Sequence, residues 1–136
     1  MLMQSRDFID LVQTTWAHWM VRFQDFTDID WEETAQSLSV ILPDQRIYLF
    51  NMHTGMQQLW LSSPISGGRH FTYCAAQPTL STHPCFENST DLGPFYWHDT
   101  RSNEIIEMVL NAEFKEHHGI DLKLTGAIGP TLREKK

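Results

Sequence analysis

Apolar residues at Phe8, Val12, Trp16, Trp19, Met20 and Phe23 recur at steps of three and four, which gathers them into one stripe on an α-helix. The pattern predicts a helix over residues 5–24, with Ser5 as N-cap and Asp7 near the positive end of the dipole. Asp7, Asp10, Thr14 and His18 fall on its polar side. The period then changes to two. Across DIDWEE at 28–33, Asp28, Asp30 and Glu32 point one way, and Ile29 and Trp31 the other. LSVIL at 38–42, RIYLF at 46–50, residues 57–63, HFTYC at 70–74 and FYWHD at 95–99 predict further strands. Pro43-Asp44 and Ser66-Gly67-Gly68 mark turns between them. Over 75–94 the alternation stops among Pro78, Pro84, Gly93 and Pro94, predicting a long loop. A second helix is predicted over 102–118, with Ile105, Ile106, Val109, Leu110 and Phe114 as its stripe and Gly119 as its C-terminal cap. Residues 121–136 read as a tail whose basic end frays.

Helix, strands, helix, with no repeat and no second core, predicts a single domain over 1–136 with its core at about 5–120. The economical fold is an α+β two-layer sandwich: an antiparallel β-sheet with the N- and C-terminal helices packed on one face. The other face is left to solvent. If Leu59 and Leu61 face the helices, Trp60 stands outward between Gln58 and Ser62. The opposite parity, with Trp60 in the core, competes, because tryptophan is often largely buried. RIYLF is apolar on both faces and does not choose. Setting Asn51 beside Trp60 turns Leu49 outward and Tyr48 and Phe50 inward.

An apolar fraction of 41% and an aromatic fraction of 12% suit a globular chain rather than a disordered one. No apolar run approaches the roughly 20 residues of a membrane span. MLMQSRDF lacks a signal-peptide pattern, so a soluble chain with no visible targeting peptide is expected. The net charge of −7 is uneven: residues 1–44 hold eight acids and two arginines, or −6. That field opposes nucleic acid and anionic lipid and invites cations or a basic protein surface.

Asp7 and Asp10 on the helix, Asp25 in the connection, and Asp28, Asp30 and Glu32 on the first strand could form one ridge, with Glu33 adding charge on the other strand face. Exposed carboxylates suit ferrous or ferric iron as well as Mn²⁺, Ca²⁺ and Mg²⁺, weakly and with little selectivity. The alternative is a solvated acidic surface. Two smaller metal patterns are weighed against plain structure. His83 and Cys85, with Cys74 upstream, lack the second pair a zinc site wants and read as loop residues. Glu113 and His117 have the four-residue spacing of a metal pair but also read as a polar helix end. No nucleophile arrangement or phosphate loop presents itself; Gly67-Gly68 is a turn.

The block N-x-x-T-x-x-x-Q-x-W-L-S-S-P, carried by Asn51, Thr54, Gln58, Trp60, Leu61, Ser62, Ser63 and Pro64, resembles the frataxin family. The DIDW strand, Leu38 and Val40, the opening helix and the helix after a W-x-D stretch fit the same family over about 5–120. LWLSSP followed by Ser-Gly is more similar to mitochondrial and alphaproteobacterial members than to enteric ones. Family members have a shorter loop where 75–94 lies, and often further acids where Thr14, Thr15 and His18 stand. The resemblance implies iron, weakly bound, on Asp7, Asp10, Asp25, Asp28, Asp30, Glu32 and Glu33, and no organic cofactor. It implies a monomer, with iron-induced oligomers, in a mitochondrial matrix or an alphaproteobacterium-like cytoplasm. The role it implies is in iron–sulfur cluster assembly, modulating sulfur transfer by a cysteine desulfurase and a scaffold protein, and delivering iron. The acids would meet the desulfurase; Asn51, Gln58 and Trp60, with Arg69 and His70 nearby, would meet the scaffold. Two other readings stand beside it. One is a non-catalytic interaction module using Trp60 and the 75–94 loop; the other is an iron-oxidising storage protein.

Overall fold

The computed structural model describes residues 5–74 and 96–124. Its elements follow the order α1 (Ser5–Phe23), β1 (Asp30–Glu33), β2 (Ser37–Ile41), β3 (Ile47–His53), β4 (Gln58–Ser63), β5 (Gly67–Cys74), β6 (Tyr96–Asp99) and α2 (Ile106–His118). The strands form one six-stranded sheet in sequence order, each antiparallel to the next. This is the predicted α+β sandwich. The 75–94 loop and the tail beyond 124 lie outside the described residues, as do His83 and Cys85.

Strand alternation divides the sheet cleanly. Leu38, Val40, Tyr48, Phe50, Leu59, Leu61, Phe71 and Trp97 are buried beneath the helices. Burying each such side chain stabilises the fold by roughly 1.5–3 kcal/mol. α1 crosses the whole sheet. Phe8 meets Trp97 of β6 edge-on, with ring centroids 6.0 Å apart. Trp19 lies on Phe50 of β3 at 4.9 Å, and Phe23 on Trp31 of β1 at 6.0 Å. α2 packs beside it, with Phe114 on Tyr48 at 4.8 Å. Trp19 Nε1–H donates to Glu107 Oε2 at 3.0 Å and so ties the two helices together.

Several boundaries differ from the predicted ones for local reasons. α2 starts at Ile106, later than 102. Asp99 Oδ1 accepts the backbone N–H groups of Arg101 (2.7 Å) and Ser102 (3.2 Å), and Asn103 takes a left-handed φ of 65°. Those amides already have a partner in a turn, and Asn103 cannot continue a right-handed helix. The β4–β5 turn falls on Pro64–Ser66, just before the glycines. Ser63 Oγ accepts the N–H groups of Ile65 and Ser66, both at 2.9 Å, which closes the turn from a side chain. Gly67, at φ 83°, then opens β5 in a conformation that favours glycine. At the end of α2, Gly119 adopts φ 69°, as its capping position requires, and the Ile120 N–H bonds to Phe114 O at 2.9 Å.

Candidate interaction surface

On the helix-free face, β3, β4 and β5 bring three rings into one row. Trp60 is directly opposite Asn51 on β3 and His70 on β5. His53 is two register steps along, opposite Gln58. Its imidazole lies over the indole of Trp60, with centroids 4.3 Å apart and planes 20° from parallel. His70 covers the other side of the indole at 4.0 Å and 8°. Trp60 Nε1–H donates to Gln58 Oε1 at 2.8 Å. Trp60 thus faces outward, but its two ring faces are occupied and its N–H is tied down. Alternation leaves two parities open for Trp60, and the register decides for this face. The sequence does not reveal the diagonal that carries His53 across to Trp60, so His53 went unnoticed there.

The predicted partner residues do not all gather. Asn51, Gln58, Trp60 and His70 share the outer face. Arg69 is paired with Leu61 and so projects from the helix side. There its Nη1 reaches Asp99 Oδ2 at 3.0 Å and Glu104 Oε1 at 3.1 Å. Partial burial works against the guanidinium charge, but the hydrogen bonds it donates to Glu104 and Asp99 prevail and raise its pKa. The reason for the split is strand parity: residues 69 and 70 cannot face the same way.

The acids form a line rather than a cluster. Asp7 and Asp10 are exposed near the β6 end of α1. From there to Phe23 the helix runs about 24 Å. Asp25 accepts from Arg22 Nη1 at 2.6 Å. Asp28, Asp30, Glu32 and Glu33 are exposed on or just before β1, the edge strand. Asp30 and Glu32 pair with Ile41 and Ser39, on the outer face; Glu33 pairs with Leu38 and has the opposite parity. Among the described residues, no three His, Cys, Asp or Glu side chains come close enough together to hold a metal ion. The Glu113–His117 pattern is likewise not a pair. Glu113 is buried and accepts hydroxyl hydrogens from Tyr48 (3.1 Å), Ser63 (2.6 Å) and Ser66 (2.6 Å), while His117 is exposed. His118, whose pKa is lowered chiefly by burial, reaches Tyr48 Oη through Nε2 at 3.0 Å. Burial, then the Glu113 charge, pushes the Tyr48 phenol up and keeps it neutral. These groups hold the β4–β5 turn to α2; the chemistry they supply is structural.

Burial also perturbs two groups that sequence reading passed over. Glu107 is fully buried; among the described residues only its Oε2 has a hydrogen-bond partner, and burial pushes the carboxyl up to about 7. His98 is 1% exposed, its ring nitrogens have no hydrogen-bond partner within normal distance among the described residues, and burial lowers its pKa. Glu107 is legible from spacing: it stands three residues before Leu110 and so falls on the apolar stripe of α2.

The frataxin-like domain model matches residues 1–120. The chain belongs to the frataxin family. A solved frataxin from Psychromonas ingrahamii shares the fold, with a TM-score of 0.69 over 90% of this chain and 99% of that one, at 17% identity. Iron–sulfur cluster assembly proteins CyaY from two Vibrio vulnificus strains, YJ016 and CMCP6, are each 40% identical over 50 residues. That stretch is 37% of this chain and spans about half, 47%, of each relative. Within the described residues of this frataxin-like chain, no helix is long and apolar enough to cross a membrane.

Proposed function

We propose that this chain is an accessory protein of iron–sulfur cluster assembly that acts by docking. It binds a cysteine desulfurase–scaffold complex and changes the rate of sulfur transfer by favouring one arrangement of its partners. The observation that carries this reading is the register placing Asn51, Trp60 and His70 in one row on the uncovered sheet face. Trp is a favoured interface anchor, and a rigidly held ring loses little freedom on binding. The acidic edge strand, separated from that row by β2, gives the partner a direction: a basic surface is attracted to Asp30 and Glu32, and long-range steering speeds encounter. The relatives named for iron–sulfur cluster assembly support the choice of process.

Iron enters this reading as cargo. Exposed carboxylates spaced along α1 and β1 suit a hydrated ion held loosely and exchanged readily, since no closed donor set surrounds it among the described residues. Sulfide production by the desulfurase–scaffold complex, measured with and without this protein, tests the proposal. A rate that changes with added protein, and no longer changes with Trp60→Ala, is expected. A rate indifferent to the wild-type protein overturns it.

A further inference from the structure

The geometry points to His53 and His70 as a clamp that holds Trp60 on edge, so that the docking element is a three-ring ribbon that meets its partner with ring edges rather than an indole face. This rests on the reading of the outer sheet face as the docking surface, and it names the partner chemistry of that surface. The three rings come from three neighbouring strands and stack almost parallel, at 4.3 and 4.0 Å. Their stacking axis therefore runs across the strands, and their planes stand up from the sheet. A partner side chain that stacks on indole, whether aromatic or guanidinium, finds both faces taken. What it meets instead are edges.

Those edges have a defined polarity. An aromatic ring carries its positive quadrupole lobe at the rim. His53 adds to it: its Nδ1 accepts the Met56 N–H at 3.3 Å, which leaves Nε2 as the protonated nitrogen of the neutral ring. The ribbon therefore suits a partner loop that presents oxygen acceptors, backbone carbonyls or a carboxylate. This differs from the carboxylates of β1, which suit cations. Glu32 pairs with Ser39, and Ser39 with Leu49, so the outer-face residues of β2 and Leu49 lie between the acids and the ribbon on the same face. The surface thus has two electrostatic ends and can fix a partner's orientation as well as its affinity.

The test uses the full chain with a desulfurase–scaffold complex as probe. In the free protein, the imidazole C–H resonances of His53 and His70 should lie upfield of exposed-histidine values and return on Trp60→Ala. His53→Ala and His70→Ala should each weaken binding about tenfold with the urea midpoint unchanged, and the double variant His53→Phe/His70→Phe, which keeps rings on both sides, should recover most of the loss. In the complex the upfield shifts should persist. Unshifted resonances in the free protein, unchanged binding by both alanine variants, or shifts that vanish on binding because a partner group has displaced an imidazole, each overturn the clamp. Failure of the wild-type protein to bind at all overturns the docking reading instead, and ring resonances that stay shifted tell the two failures apart.

Discussion

Trp97 on β6 and Trp60 on β4 project from opposite sides of one sheet and are held by different physics. Trp97 is 1% exposed, packed edge-on against Phe8 and Tyr73, and its Nε1–H donates to Thr15 Oγ1 at 2.9 Å. Its hydrogen bond is obligatory, because an indole N–H removed from water must find an acceptor. Trp60 is half-buried, layered between two imidazoles, and bonded to a neighbouring side chain that water could replace. The inner tryptophan is held by burial, which stabilises the fold. The outer one is held by stacking, which fixes a ring without contributing much to folding. A side chain ordered for no large gain in stability is what an interface anchor requires.

The comparison breaks first on the inside. Trp97→Ala should cost about 3–5 kcal/mol in urea denaturation, because it opens a cavity and removes the hydrogen bond to Thr15; a loss near 1 kcal/mol would erase the distinction between the faces. Next comes pH. The folded-state pKa of Glu107 is raised from 4.5 to about 7, so the fold prefers the neutral acid. Its penalty is absent below the unfolded value, grows as pH rises from 4.5 to 7, and is complete above that, at roughly 3 kcal/mol. Stability should therefore fall between pH 5 and pH 8, and Glu107→Gln should flatten that slope. His98 acts in the other direction: the fold prefers its neutral ring, so stability is lost as pH drops below 6.5. Denaturation curves across this range for wild type and Glu107→Gln separate the two effects.

Glu113→Ala sharpens the contrast at the turn that joins the two faces. It leaves three hydroxyls without their acceptor and should cost on the order of 2–3 kcal/mol, with faster amide exchange in Ile65 and Ser66. Trp60→Ala should cost only about 1 kcal/mol, the value of an exposed ring stack. The smallest effect belongs to the acid line. Asp28→Asn with Asp30→Asn relieves like-charge repulsion and should raise stability by about 0.5 kcal/mol or less, while weakening iron binding in a titration; lower melting with unchanged iron binding would remove any functional role from these two.

Much of this was legible in the sequence, and the residues show why. A period of two separates Trp60 from Leu59 and Leu61 without saying which set faces the helices; the resemblance, which sets Asn51 beside Trp60, favours the outward reading, and the register agrees. Parity also carries the correction for Arg69, since the residue beside His70 must face the helices. Registers were harder. That His53 reaches Trp60 on a diagonal depends on where the Thr54–Gln57 turn closes, and alternation does not encode that. The apolar members of α2 define its stripe, which hides that Glu107 lies on it, and Glu113, weighed with His117 as a metal pair, also faces inward because its spacing puts it there. The acids were correctly placed on α1 and near β1, but a helix that crosses the whole sheet spreads them out, a fact that only the packing of Phe8 and Phe23 reveals.

The most direct measurement compares wild-type protein and Trp60→Ala in two readouts on the same samples: urea unfolding, and equilibrium binding to a desulfurase–scaffold complex. The account predicts an unfolding free energy within about 1 kcal/mol of wild type together with at least a tenfold loss of affinity. Undiminished affinity in the variant, or a loss of affinity no greater than its loss of folded protein, would contradict it.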